Sequence, residues 1–208
     1  MFENASQFIA LVSFAFVASI TPGPNNLMVM ASGAAFGPKQ TMPHIFGIAF
    51  GFAVMIGTVV LGLGAILQSA PWFLSALRVF GTLWLLWLAW KLASPLFPNC
   101  TKNGDTQETQ KPDRPMRFGE AAMFQWVNPK SWTMAIAASS AYVKLAETAL
   151  ARASIMAGVF ILIAPVCNGV WMASGQVLHR LTAEKLKAQF FSVLMVALVL
   201  VSALLINL

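Results

Sequence analysis

Residues 19–28 read Ser-Ile-Thr-Pro-Gly-Pro-Asn-Asn-Leu-Met, and residues 125–130 read Gln-Trp-Val-Asn-Pro-Lys. Each stretch sets polar side chains and prolines inside an otherwise apolar run. Pro22 and Pro24 lack N–H groups and clash with a preceding helical turn. Gly23, between them, loosens the backbone further. A helix interrupted here restarts near Asn25, and its free N–H groups and positive dipole end attract an anion. Asn25 and Asn26 add amide donors and acceptors, and Thr21 adds a hydroxyl. Such a neutral site suits a zwitterion with a carboxylate and an ammonium group. The second stretch repeats the order, with Asn128 before Pro129 and Lys130 after it. Lys130 falls in mid-run, where insertion into a bilayer centre costs about 2.5–3.5 kcal/mol. No Asp or Glu lies deep in any apolar run. The nearest acid, Glu120, is about 15 Å away along a helix. The counter-charge of Lys130 is therefore either backbone carbonyls freed by the breaks or the carboxylate of a solute. Asn168, beside Pro165, marks a third irregular point. It either faces a cavity or bonds a neighbouring helix.

The elements that must position these groups are membrane helices. The chain has 208 residues, of which 58% are hydrophobic and only 10% charged. Soluble domains carry about 25% charged residues, so most of this chain has lipid as its solvent. Asn4–Pro38, Gln40–Leu77, Ala153–His179 and Ala188–Leu208 contain no Lys, Arg, Asp or Glu. A spanning helix needs roughly 20 apolar residues, and backbone in hydrocarbon must satisfy its own hydrogen bonds, which leaves helices. The expected fold is all-α, with six spans near 6–31, 43–67, 72–94, 118–141, 153–175 and 188–207. Gly37-Pro38 with Lys39 closes the first span, and Ser69-Ala70-Pro71 joins the second to the third. Residues 94–117 are polar and Pro-rich, as a flexible loop is. The first segment has no Lys or Arg before Lys39, unlike the basic start of a signal peptide, and is expected to stay as a helix. Gly47, Gly51 and Gly57 allow close helix packing. Trp84, Trp87 and Trp90 share one face, for packing or an interfacial belt. Arg78 and Lys91 are placed to snorkel to opposite interfaces.

A shift of 107 positions lays Thr21-Pro22 on Asn128-Pro129 and superposes the first two spans of each half. With three spans per half, the halves enter from opposite sides. Inverted repeats with helices broken at matching positions point to a transporter's binding site. The expected organisation is a three-helix repeat over 1–94, a cytoplasmic loop over 95–117 and a second repeat over 118–208, with the first and fourth helices broken. The connections after spans one, three and five hold nine Lys and Arg (Lys39, Lys91, Lys102, Lys111, Arg114, Arg117, Arg180, Lys185, Lys187). Those on the other side hold Lys144 and Arg152. Positive residues mark the cytoplasmic side, so both termini are expected outside. The net charge of +6 then records topology, not nucleic-acid binding. Cys100 and Cys167 are too far apart in sequence and setting for a CxxC redox or metal motif. No nucleophile–base pair or His/Asp/Glu cluster stands out. No catalytic residue, metal or cofactor is expected.

The motif Thr21-Pro-Gly-Pro-Asn-Asn26, followed by Gly33 and Gly37, resembles the signature of the lysine exporter superfamily, and most of all its homoserine/threonine-resistance branch. Gln125-Trp-Val-Asn-Pro-Lys130 is similar to that family's second, Asn-Pro-Lys signature. The likeness covers essentially the whole chain. It implies a bacterial inner-membrane exporter of amino acids or close derivatives, driven by protons. It also implies functional weight at Pro22, Pro24, Asn25, Asn26, Asn128, Pro129 and Lys130. Glu120, His44 and a Lys130 that changes protonation are the available proton carriers. The combined expectation is a secondary transporter working by alternating access on a small zwitterion. Its site comprises Thr21, Pro22, Gly23, Pro24, Asn25, Asn26, Asn128, Pro129, Lys130 and Asn168, with the solute carboxylate on the helix start at Asn25 or on Lys130. Its other partners are the lipid bilayer, protons and, compatibly with the sequence, a second copy in a homodimer. The rival reading is a membrane assembly or lipid-handling protein that transports nothing.

Overall fold

The computed structural model describes residues 2–64, 71–93, 114–181 and helical positions between 193 and 204. Most of the polar 95–117 loop, the link joining spans two and three, the basic residues Lys185 and Lys187, and the start of the sixth span lie outside the described residues. Among the described residues, six continuous α-helices precede the helical positions at 193–204: α1 (Phe2–Ile20), α2 (Pro24–Thr58), α3 (Pro71–Ala93), α4 (Phe118–Phe124), α5 (Pro129–Ala141) and α6 (Ala149–Leu181). No strand occurs among the described residues. Both sequence breaks appear as breaks: α1 stops at Ile20 and α2 opens at Pro24, while α4 stops at Phe124 and α5 opens at Pro129. In both cases proline occupies the first helical position, where its missing N–H would have no partner anyway. The helix-opening prolines are thus Pro24 and Pro129, 105 positions apart. Pro22 lies in the extended link.

Among the described residues, two helices are long and apolar enough to cross a membrane: Pro24–Leu63 and Ala149–Leu178. The first would be about 60 Å long if straight, twice the hydrocarbon thickness. It is not straight. Gly37 has φ 76° and ψ 180°, a conformation side-chain-bearing residues avoid, and the chain doubles back there. Ser32 Oγ reaches Thr41 Oγ1 at 2.9 Å across nine residues, and Val29 packs with Ile45 and Ile48. So 24–36 and 38–58 form a helical hairpin, which closes the first span where Gly37-Pro38-Lys39 suggested. The second arm runs on into a π turn, Val59–Leu63, containing Gly62 at φ 140°. α6 begins and ends beyond the expected 153–175, and Pro165 lies inside it without ending it.

Backbones meet closely at small residues. A Cβ on Gly175 of α6 would lie 2.0 Å from Met30 O of α2, and one on Gly33 of α2 would lie 2.6 Å from Met172 O. One on Gly51 would lie 2.5 Å from Ala122 Cα of α4. Gly57, expected to pack likewise, faces open space. Trp87 and Trp90 are exposed; the side chains of Trp84, Arg78 and Lys91 lie outside the description. The main core gathers Leu11, Phe52, Met55, Trp132, Met156 and Phe160. A thinner layer of Val29, Ile45, Ile48 and Ala121, with Met116 and Met172 against it, sits beyond the breaks.

Candidate functional site

The end of α1 leaves carbonyls without intrahelical partners, and in lipid each must find another donor. Here side chains from three other helices supply them. Thr21 turns back on its own helix, with both its N–H (3.1 Å) and its hydroxyl donating to Val17 O. Asn26 Nδ2 donates to Ser19 O at 2.9 Å and Thr21 O at 2.8 Å. Trp171 Nε1 of α6 donates to Ile20 O at 3.0 Å. Lys130 Nζ of α5 donates to Thr21 O, and to Pro22 O at 3.2 Å. The two breaks therefore meet, and the counter-charge of Lys130 in this structure is carbonyl oxygen at the negative end of α1. Gly23 makes room for that crossing, since a Cβ there would lie 2.7 Å from Lys130 Cδ.

The other sides of the breaks are helix starts. Asn128 caps α5 by accepting from Lys130 N at 3.1 Å. Gly23 precedes α2 and gives no side-chain cap, so the first N–H groups of α2 keep their donor capacity. Gly23, Asn25 and Asn26 from one start, and Asn128, Lys130 and Ser131 from the other, line a single cavity of about 40 Å³. Asn168 of α6 closes it, with Phe160 and Ile48 among the apolar walls. At roughly 10–15 Å³ per water, the space admits only a few waters.

A polar bridge ties the halves across this cavity. Asn25 Nδ2 donates to Gln125 Oε1 at 2.9 Å, and Gln125 Nε2 donates back to Asn25 Oδ1 at 3.3 Å. Gln125 also donates to Ala121 O and accepts from Ser131 Oγ, both at 2.9 Å. The amide orientations follow from this network. Asn168 is different. Its Nδ2 donates to Ala164 O at 2.9 Å, but Oδ1 is buried without a partner. A buried polar atom left unpaired is rare and costly, and this one belongs to a residue of the cavity wall.

The expected site residues therefore divide. Gly23, Asn25, Asn26, Asn128, Lys130 and Asn168 line the cavity; Thr21, Pro22, Pro24 and Pro129 shape the breaks without lining it. Gln125, Ser19, Ser131 and Trp171 were not singled out beforehand. The available signal for Gln125 was a polar residue in an apolar helix one turn before a break. Glu120 is held by Arg114 through two bonds of 2.7 and 2.8 Å and accepts from Arg117 N at 2.9 Å. No group of three or more potential metal ligands occurs among the described residues.

A family model for LysE type translocators matches residues 16–207. The cysteine/O-acetylserine efflux proteins of Escherichia coli K12 and of Shigella flexneri serotype 5b are each 27% identical over 178 residues, covering 83% of this chain and 84% of theirs. The protein of the same name from Escherichia coli O1:K1 is similar to the same extent. No solved structure matches. With both signature stretches at one cavity and the family model spanning nearly its whole length, the chain belongs to the LysE type translocator family.

Proposed function

We propose that the protein exports small neutral amino acids or their derivatives across the bacterial inner membrane, by alternating access around the cavity at the two breaks. The observation that carries this reading is the convergence of two helix starts, opened by Pro24 and Pro129, on one cavity with an unpartnered buried amide oxygen. The solute carboxylate takes the free N–H groups at the start of α2, beside Asn25 and Asn26. The ammonium takes Asn168 Oδ1. Lys130 fixes the breaks together through Thr21 O and Pro22 O, so its charge is spent on backbone and a neutral site remains for the zwitterion. The absence of a deep acid among the lining residues favours an uncharged solute side chain.

The chain on this reading has six spans in two inverted three-helix repeats, with both termini outside. A cavity of about 40 Å³ is too small for an amino acid, so the solute enters a more open state and this one is contracted around water. The Asn25–Gln125 pair is the contact that parts when the halves rock. Proton coupling belongs to the reading through the family resemblance. Glu120 is spent on Arg114, which leaves His44 and Lys130 of the three candidate proton carriers. The cysteine/O-acetylserine efflux relatives make these two solutes the first probes. Everted inner-membrane vesicles containing the protein should accumulate labelled O-acetylserine or cysteine when energised, and Asn168→Ala should weaken the apparent affinity about ten- to hundredfold. Accumulation equal to that of vesicles lacking the protein, across a panel of neutral amino acids, would refute transport.

A further inference from the structure

A second, larger cavity lies at the Gly37 hinge, with a volume of about 630 Å³. It is framed by Met28, Phe36 and Met116, with Ser32, His44 and Arg114 as its polar members. Small-molecule sites are concave, about 300–1,000 Å³, mostly apolar, with a few converging polar groups. The hinge cavity fits that description and the central one does not. One layer of side chains, Val29, Ile45, Ile48 and Ala121, separates the two. His44 lines the outer cavity and Ile48, one turn further along the same arm, lines the inner one.

The polar groups are set for particular ligand atoms. His44 is buried, and its Nδ1 has no partner. Thr41 Oγ1 donates its one proton to Gly37 O at 2.8 Å, so the 2.9 Å contact between Ser32 and Thr41 has Ser32 as donor. Ser32 Oγ, its proton thus engaged, offers the cavity lone pairs only. Arg114 spends Nη1 and Nη2 hydrogens on Glu120 and on Pro115 O and retains an Nη2 hydrogen and Nε–H from its five donors. An acceptor and a cation therefore border one apolar chamber, with the unpaired Nδ1 of His44 buried in its wall. A lipid chain filling the chamber would leave Nδ1 unpaired.

We propose that this chamber is a waiting site for the transported solute: it holds the ammonium of an α-amino acid between Ser32 Oγ and His44 Nδ1 and the carboxylate toward Arg114, before the solute passes the Ile48 layer. This rests on the transport reading and adds to it a second binding site on the side of Lys39, Arg114 and Arg117. The apolar walls select side chains without charge.

The test is equilibrium binding of labelled O-acetyl-L-serine to the purified full chain in nanodiscs, with efflux measured on the same variants. The parent should bind two molecules per chain. His44→Leu and Ala34→Trp, which remove the anchor and fill the chamber, should bind one, with the half-saturating solute concentration for efflux raised about tenfold for a lost hydrogen bond to a charged group. His44→Gln, which keeps a hydrogen-bonding group, should retain two. One molecule per chain in a parent that still exports, or two in Ala34→Trp, would overturn the waiting site and leave transport standing. No binding together with no efflux would overturn both.

Discussion

Asn168→Leu separates stability from function at one atom. In the parent, Asn168 Oδ1 is buried without a hydrogen bond, a state that costs about 1–3 kcal/mol. The substitution removes that cost. It also removes the Nδ2 bond to Ala164 O, worth about 1 kcal/mol, but Ala164 lies four residues back on the same helix, so its carbonyl remains the natural acceptor for the backbone N–H of residue 168. The added methyl volume has the cavity of about 40 Å³ to enter. The solute-free protein should thus keep its stability or gain up to about 2 kcal/mol. At about 2–4 °C per kcal/mol for a chain of this size, the melting temperature should stay level or rise by as much as ~8 °C. Solute binding should fall about ten- to hundredfold, the value of one hydrogen bond to an ammonium. The assay pairs thermal melting in detergent with vesicle transport. A variant that exports like the parent, or that melts well below it, refutes the assignment of Oδ1 to the solute.

Lys130→Met strands Pro22 O, whereas Thr21 O keeps Asn26; thermal melting should show a loss of about 1–3 kcal/mol. In transport assays the same variant should lose an amino acid and its amide equally, and a loss confined to the free acid would return the carboxylate to Lys130. Gly175→Ala drives a methyl onto Met30 O and should destabilise by about 1–3 kcal/mol as overpacking does, read by melting; an unchanged melt would mean that α2 and α6 are not in backbone contact. A cysteine added at either terminus should react with an impermeant thiol reagent from outside intact cells, and protection at both ends would invert the topology.

Much of this site is legible in the sequence because proline and glycine act locally. Pro22, Gly23 and Pro24 crowd one stretch and Asn128 sets a cap before Pro129, so both breaks are legible from local residue types, whereas the lone Pro165 ends nothing. The doubling back at Gly37 was readable for the same reason. What each polar side chain does was not readable, because partners come from distant segments. Thr21 and Lys130 look like solute ligands in sequence, yet Thr21 bonds Val17 O and Lys130 bonds carbonyls 108 and 109 residues away. Gln125 looked like one polar residue among aromatics until Asn25, 100 residues earlier, was set against it. Asn168 had two open readings, a cavity or a neighbouring helix; it lines the cavity, and its Nδ2 bonds Ala164 O of its own helix instead of a neighbouring one. The hinge chamber is not legible in the sequence because most of its walls are apolar and its polar members, Ser32, His44 and Arg114, come from separate segments.

The central claim is that the two helix starts receive a zwitterion. A structure of the full chain in nanodiscs with O-acetylserine or cysteine bound tests it most directly. The carboxylate should lie within hydrogen-bond distance of the backbone N–H groups of Asn25 and Asn26, with the ammonium on Asn168 Oδ1 and the cavity expanded. A solute bound away from both breaks, or breaks still closed on each other beside an occupied site, would contradict it.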